Sequence, residues 1–331
     1  MKKSNRTLPI LIIIGCVLMA AGILVAICSG SKSIPLSTVW EGLFHYNEEE
    51  LDHMFVRDYR LPRAICSFLV GGFLAISGGA MQGITRNPIA EPTILGVSQG
   101  ATLAVAISAV YLGKSSGFSV VVLAMIGAVV SGGFLLLVSL RTSASHNMAK
   151  LLLAGTASST FLISLASTVA LLGNRSQELA FWVAGGFSNT DWTDGKVLLV
   201  CGVLPMLLLC VLSPRINILN LGEEVAIGLG VHPQRLQMVS VGLIIPMCAA
   251  SVAVAGNISF LGLVVPHILR GFVGADYRKL LPLSFLFGGV VLVWADILAK
   301  MIHLPYETPI GIFTALLGVP FFLWLVRKER N

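Results

Sequence analysis

Ten apolar stretches, several about 20 residues long, alternate with short polar ones along the chain: 8–28, 62–82, 93–112, 118–140, 150–172, 195–213, 236–255, 258–272, 280–299 and 307–326. A helix of about 20 apolar residues is what crosses the hydrocarbon of a bilayer. The stretch 258–272 is too short for a full crossing and contains Pro266. The pattern predicts an all-α polytopic membrane protein of about ten transmembrane helices, forming one transmembrane domain over 1–331. The first stretch, behind Lys2, Lys3 and Arg6, is long enough to span and lacks a small-x-small cleavage site, so it reads as a helix, not a signal peptide.

The chain is organised around 71–101, GGFLAISGGAMQGITRNPIAEPTILGVSQGA. Gly71, Ala75, Gly78 and Gln82 recur at helical spacing on one face, where neighbouring helices can approach the backbone. Arg86-Asn87-Pro88 then ends the helix, and a second apolar segment starts near Thr93. Lipid cannot satisfy a polar, proline-broken backbone, so this loop must be buried in protein or line a watery cavity, which makes it a candidate gate. Stretches two to five and seven to ten would run in opposite senses. Each group opens with a glycine-rich helix followed by a short or broken one, which predicts an inverted repeat.

Three polar segments separate the stretches more widely. An external loop over 29–60 is predicted to hold a short helix from Pro35 to Tyr46, and a second external loop covers 173–194, with Phe181, Trp182 and Trp192 as interfacial anchors. The third segment, 213–235, is the longest cytoplasmic loop. There Leu219, Leu221, Val225, Ala226 and Leu229 form an apolar stripe, Glu223 and Glu224 a polar side, and Gly228 and Gly230 stop any long helix, so two short helices with a turn are expected. An amphipathic helix resting on lipid favours Lys and Arg; the acids here favour a protein partner on the cytoplasmic face.

Composition sharpens this picture. Hydrophobic residues make up 56% and charged residues 11% of the 331, whereas a soluble domain carries about 25% charged residues. The formal net charge of +6 contains no basic run longer than two, so membrane topology accounts for it and nucleic acid does not. With both termini cytoplasmic, fourteen of the 22 Lys and Arg fall inside. Arg57, Arg60 and Arg63 cluster on the outer side against that bias. The six cysteines form no CxxC and read as small buried hydrophobes, with no metal site.

Two motif matches are weighed and set aside. Gly113-Lys114-Ser115 ends like a phosphate-cradling loop, but Ser108 stands where its first glycine belongs, so the chain is not expected to hydrolyse ATP itself. Gly96-Val97-Ser98-Gln99-Gly100 matches a nucleophile elbow in letters, but Glu91-Pro92-Thr93-Ile94-Leu95 precede it in a helix-rich chain where the chemistry requires a strand, and His267 is the only intramembrane histidine to serve as partner. Asp296 and Lys300, one turn apart, read as a structural pair. Thr156, Thr160, Ser164 and Ser167 share one face of their helix, as pathway lining or as hydrogen-bonding glue between helices.

Taken in order, Arg60-Leu61-Pro62-Arg63, GGFLAISGGAMQ, RNPIAEPTILGVSQGA, NLGEEVAIGLGV and GNISFLGLVVPHILR resemble the FecCD-type permease subunits of iron-siderophore and vitamin B12 ABC importers over nearly the whole chain. The resemblance implies a type II importer permease in a bacterial cytoplasmic membrane, without cofactor. It would pair with a second permease chain, identical or paralogous, two cytoplasmic ATP-binding subunits and an extracytoplasmic substrate-binding protein. Residue by residue, it implies ATPase coupling by Leu219, Leu221, Gly222, Glu223, Glu224, Ala226, Leu229, Gly230 and Val231. Docking of the binding protein would fall to Arg57, Arg60 and Arg63, the gate to Asn87, Pro88 and Ile89, and the pathway wall to Gly155, Thr156, Ser158, Ser159 and Thr160. Pro266, His267 and Arg270 resemble a structural signature, and Ile89 stands where the family more often has leucine. The implied cargo is a ferric siderophore, with haem or cobalamin as alternatives. An ion-coupled carrier and an intramembrane serine hydrolase acting through Ser98 are the rival readings.

Overall fold

The computed structural model describes residues 3–30, 32–92, 96–113, 117–141, 148–304 and 306–330. Among them every regular element is a helix: α1 Lys3–Cys28, α2 Leu36–Phe44, α3 Leu51–Met54, a π-helical turn Phe55–Arg60, α4 Leu61–Thr85, α5 Val97–Tyr111, α6 Phe118–Arg141 and α7 Met148–Leu172. Then come α8 Ser176–Ala184, α9 Trp192–Leu219, α10 Glu223–Gly228, α11 Pro233–Ala255, α12 Leu261–Val273, α13 Tyr277–Met301 and α14 Ile310–Arg330. Seven helices in the described residues are long and apolar enough to cross a membrane, and three shorter apolar helices, Val97–Tyr111, Leu261–Val273 and Ile310–Leu325, stand where the other stretches were predicted. Lys114 and Ser115 of the phosphate-loop lookalike and Thr93 to Leu95 of the central stretch lie outside the described residues.

Helix α4 is the axis of the molecule. It is buried along almost its whole length and packs against α13, α9, α11, α12 and α1. The small face read from the sequence is the contact. A methyl added at Gly71 would overlap the Gly288 carbonyl of α13, and one at Gly78 the backbone of Gly262 in α12. These helices meet backbone to backbone, where dispersion and interhelical hydrogen bonds act in place of a hydrophobic driving force. Gln82 completes the face by donating from Nε2 to the carbonyls of Gly262 at 3.1 Å and Leu263 at 3.3 Å. A second group, α5, α6 and α7, joins this core through α11, which packs on α6 and α5.

Three boundaries differ from expectation. α9 runs six residues past Ser213 to Leu219 despite Pro214, so the segment expected to be cytoplasmic holds one short helix, α10, and not two. Burial of Ile216 and Leu219, with Asn217 and Asn220 bonded to neighbouring helices, outweighs the lost backbone bond. Upstream, the helical run that becomes α4 begins at Leu51, inside the expected external loop. Cys66 and Cys248 are buried as expected, but Cys16 lies on an exposed face of α1.

Candidate functional site

The residues expected to couple, gate and dock gather at the two ends of α4. Arg63 and Arg86 are 23 positions apart, a rise of about 35 Å, which matches the thickness of a membrane.

At the C-terminal end, α4 stops where Arg86 adopts a left-handed conformation, φ +51°. Asn87 Oδ1 then accepts from the Ile89 amide at 3.0 Å, closing a local turn that holds Pro88 in the loop. Two side chains from other helices occupy the carbonyls that the helix end leaves open: Asn220 Nδ2 donates to Gly83 O and Gln237 Nε2 to Ile84 O, each at 3.0 Å. Arg86 Nη2 pairs with Glu223 Oε1 at 2.5 Å. Glu91, further along the same loop, accepts from the Phe260 amide ahead of α12. Asn87, Pro88 and Ile89, the residues expected to form a gate, are thus bracketed by contacts to α9, α10, α11 and the start of α12.

Helix α10 is the free end of this bracket. Gly222, φ +121°, opens it, and its far end closes with Val231 N–H donating to Ala226 O at 2.8 Å and Gly230 N–H to Ile227 O at 3.0 Å. Gly230 sits at φ +76°, the left-handed position of a Schellman cap. The stripe expected here divides. Leu219, Ala226 and Val231 are buried against the body, while Leu221, Val225, Ile227 and Leu229 project outward beside Glu223 and Glu224. Ile227 is the member of this exposed set that the sequence reading missed, and the cap geometry turns it outward with the others.

At the other end the three arginines separate in role. Arg63 is nearly buried. It meets Asp296 Oδ1 through Nη2 at 2.8 Å and Glu307 Oε1 through Nη1 at 2.6 Å, while Lys300 Nζ reaches Asp296 Oδ2 at 2.8 Å and Ser188 Oγ donates to Glu307 at 2.7 Å. Two cations and two carboxylates therefore balance in one cluster, with Asp296 fully buried at its centre. Burial alone would raise the Glu307 carboxyl, but the hydrogen bond and charge of Arg63, helped by Ser188, hold it below its ordinary value. Arg60 donates to the carbonyls of Ile27, Cys28 and Lys32 at 2.5–3.1 Å, gripping the end of α1. Arg57 is exposed, its guanidinium 4.5 Å from the centre of the Tyr46 ring, and its carbonyl accepts from Trp192 Nε1. Beside the cluster lies a cavity of about 410 Å³, walled by Arg63, Glu178, Trp182, Ser188, Asp191 and Glu307 among others.

Gly155, Thr156, Ser158, Ser159 and Thr160, expected to line a pathway, stand on α7, away from both clusters. Gly155 is buried, Ser158 and Ser159 half-buried, and Thr156 and Thr160 exposed. Thr156, Thr160, Ser164, Ser167 and Thr168 each donate to a carbonyl on the preceding turn. Ser98 is buried in the first turn of α5, and the small cavity beside it is lined by Glu91 and Cys248 but, among the described residues, by no histidine. His267 stacks edge-on against Phe321 elsewhere. No group of His, Cys, Asp or Glu that could hold a metal occurs among the described residues.

Comparison with known proteins gives a consistent answer. The chain is 38% identical over 322 residues to the iron(3+)-hydroxamate import system permease protein FhuB of Bacillus subtilis, spanning 97% of this chain and 84% of that one. It is 36% identical over 330 residues to the Fe(3+)-citrate import system permease protein YfmD of the same organism, spanning 100% and 98%. A solved metal-chelate type ABC transporter in an inward-facing conformation superposes with a TM-score of 0.84 at 28% identity, covering 97% of this chain and 99% of its own. The model of the FecCD transport family matches residues 17–328, and the chain belongs to that family.

Proposed function

We propose that this chain is the permease subunit of an ABC importer that carries a ferric chelate across the cytoplasmic membrane. The observation that carries the reading is the bracket at the inner end of α4. A short, exposed, apolar-and-acidic helix shaped to enter a protein groove is joined by Arg86–Glu223, and by the Asn220 and Gln237 hydrogen bonds to α4, to the polar loop that breaks the membrane segment. Partner subunits that hydrolyse ATP would move α10, and this motion would reach Asn87, Pro88 and Ile89 through those contacts.

The remaining assignments follow. The three shorter apolar helices complete ten spans with both termini inside, and the two halves form an inverted repeat. The hydroxyl-bearing face of α7 is exposed in the single chain and ill suited to lipid. A second permease chain faces it across a watery pathway. On the outer side, Arg57 docks acidic groups of a binding protein, while Arg60 and Arg63 build the surface that presents it. The setting of Ser98, buried and with no histidine among the described residues that line its cavity, disfavours the hydrolase reading.

The test is uptake of radiolabelled iron by cells with and without this chain, offered as hydroxamate, catecholate or haem, with labelled cobalamin alongside. Loss of uptake of one iron chelate supports the proposal and names the cargo. Unchanged uptake of every ligand, in a strain without redundant importers, overturns it.

A further inference from the structure

We infer that α2 lies in the lipid headgroup interface just beyond the end of α1, anchored by Leu36, Trp40, Leu43 and Phe44. At about 100° per residue, Gly42, Val39, Leu43, Leu36, Trp40 and Phe44 fill one continuous apolar arc of about 200°, and Ser37, Glu41 and Thr38 the rest. The protein covers the first part of the arc, where Val39 is buried and Gly42 rests on His53. It leaves the second part bare: Leu36 and Trp40 are 61% exposed, Phe44 62% and Leu43 38%, with the Trp40 and Phe44 rings 4.3 Å apart.

Position and composition select lipid as the cover. Helix α1 presents Ile13, Val17, Leu24 and Val25 outward along its length, which is a lipid-facing surface in a membrane chain. Only residues 29–35 separate α1 from α2. That turn is fixed, because Arg60 holds the carbonyls of Ile27, Cys28 and Lys32 while the Ile34 amide donates to Cys28 O at 2.9 Å. The bare face of α2 is therefore held at the depth where α1 leaves the bilayer. Trp40, outward at that depth, is the residue type that gathers at the membrane–water interface. A second permease chain on the hydroxyl face of α7 would lie elsewhere, since α1 packs on α13, α4 and α12, and α7 on α5, α6 and α8.

The inference rests on α1 spanning the membrane and needs no transport for its readout, so it can fail while the importer reading stands. The assembly purified through this chain is reconstituted in phosphatidylcholine vesicles brominated either high on the acyl chain or near its end, and tryptophan quenching is compared with that by aqueous iodide. Trp40→Phe should remove part of the quenching by high bromine, less of that by deep bromine and none of that by iodide. Adding Phe44→Trp should restore the high-bromine component. Loss from the iodide component instead would place the face in water, and a change in neither component, with no restoration by Phe44→Trp, would place it under protein. Either result overturns the assignment.

Discussion

At the residue scale, the two arginine-bearing ends of α4 differ in what their charges do. Arg86 and Glu223 form an exposed pair worth at most about 1 kcal/mol to stability, so breaking it should spare the fold and show in coupling alone. Glu223→Lys is expected to lower uptake several-fold at unchanged membrane abundance, and adding Arg86→Glu should recover part of it by restoring the pair in reverse. Uptake assays beside an immunoblot decide this, and normal uptake in Glu223→Lys would remove the coupling role. Asp296 is the opposite case. Asp296→Ala leaves Arg63 and Lys300 facing each other in a buried site and should cost about 3–5 kcal/mol, read as lost abundance or a lower Tm. Arg57→Glu should leave Tm unchanged while weakening binding-protein affinity in a salt-dependent way. The sequence showed Asp296 and Lys300 as a pair because they stand one turn apart. It did not show Arg63 as their partner, because that contact closes over 233 positions; Arg63 therefore read as one more docking charge.

At the scale of elements, hydrophobic windows located the seven helices that, among the described residues, are long and apolar enough to cross a membrane, because lipid demands length and apolarity from each helix by itself. The same criterion was blind where neighbours decide. The apolar stretch ended at 213, and α9 passes on through Pro214 because Ile216 and Leu219 are buried on the far side. The small face of α4 was legible, since residues at helical spacing must share a face. Its consequence is sharp. At Gly78 even a methyl has no room, because the atoms in its way are the backbone of Gly262, so Gly78→Ala should cost at least the 1–3 kcal/mol typical of overpacking. Gly133, inside α6, has nothing within 4 Å of the same added carbon, and Gly133→Ala should leave stability unchanged or slightly raised. Thermal unfolding of the two variants in detergent measures the contrast, and equal losses would show that the α4–α12 contact is looser than its backbone geometry implies.

For the whole molecule, the energy source separates an importer driven by partner ATPases from an ion-coupled carrier of similar shape. A proton-driven carrier needs acids or histidines relayed across the membrane. Here Asp296, Lys300 and Arg63, with Glu307 beside them, form a balanced cluster at one end of α4, while Arg86 and Glu223 are exposed at the other. Between them the face of α4 that meets α12 and α13 is built largely on glycine and alanine with Phe68, and Gln82 donates to the α12 backbone and accepts from Arg270 Nη2 at 3.0 Å. Helix α4 carries no acid or histidine of its own, so it can transmit a push from α10 along a rigid axis but offers no proton relay. Chelate uptake should therefore collapse when cellular ATP is depleted at a maintained membrane potential, and persist when an uncoupler removes the proton gradient while ATP is held up. The reverse pattern would assign the driving force to the gradient and leave the projecting apolar face of α10 without its mechanical role.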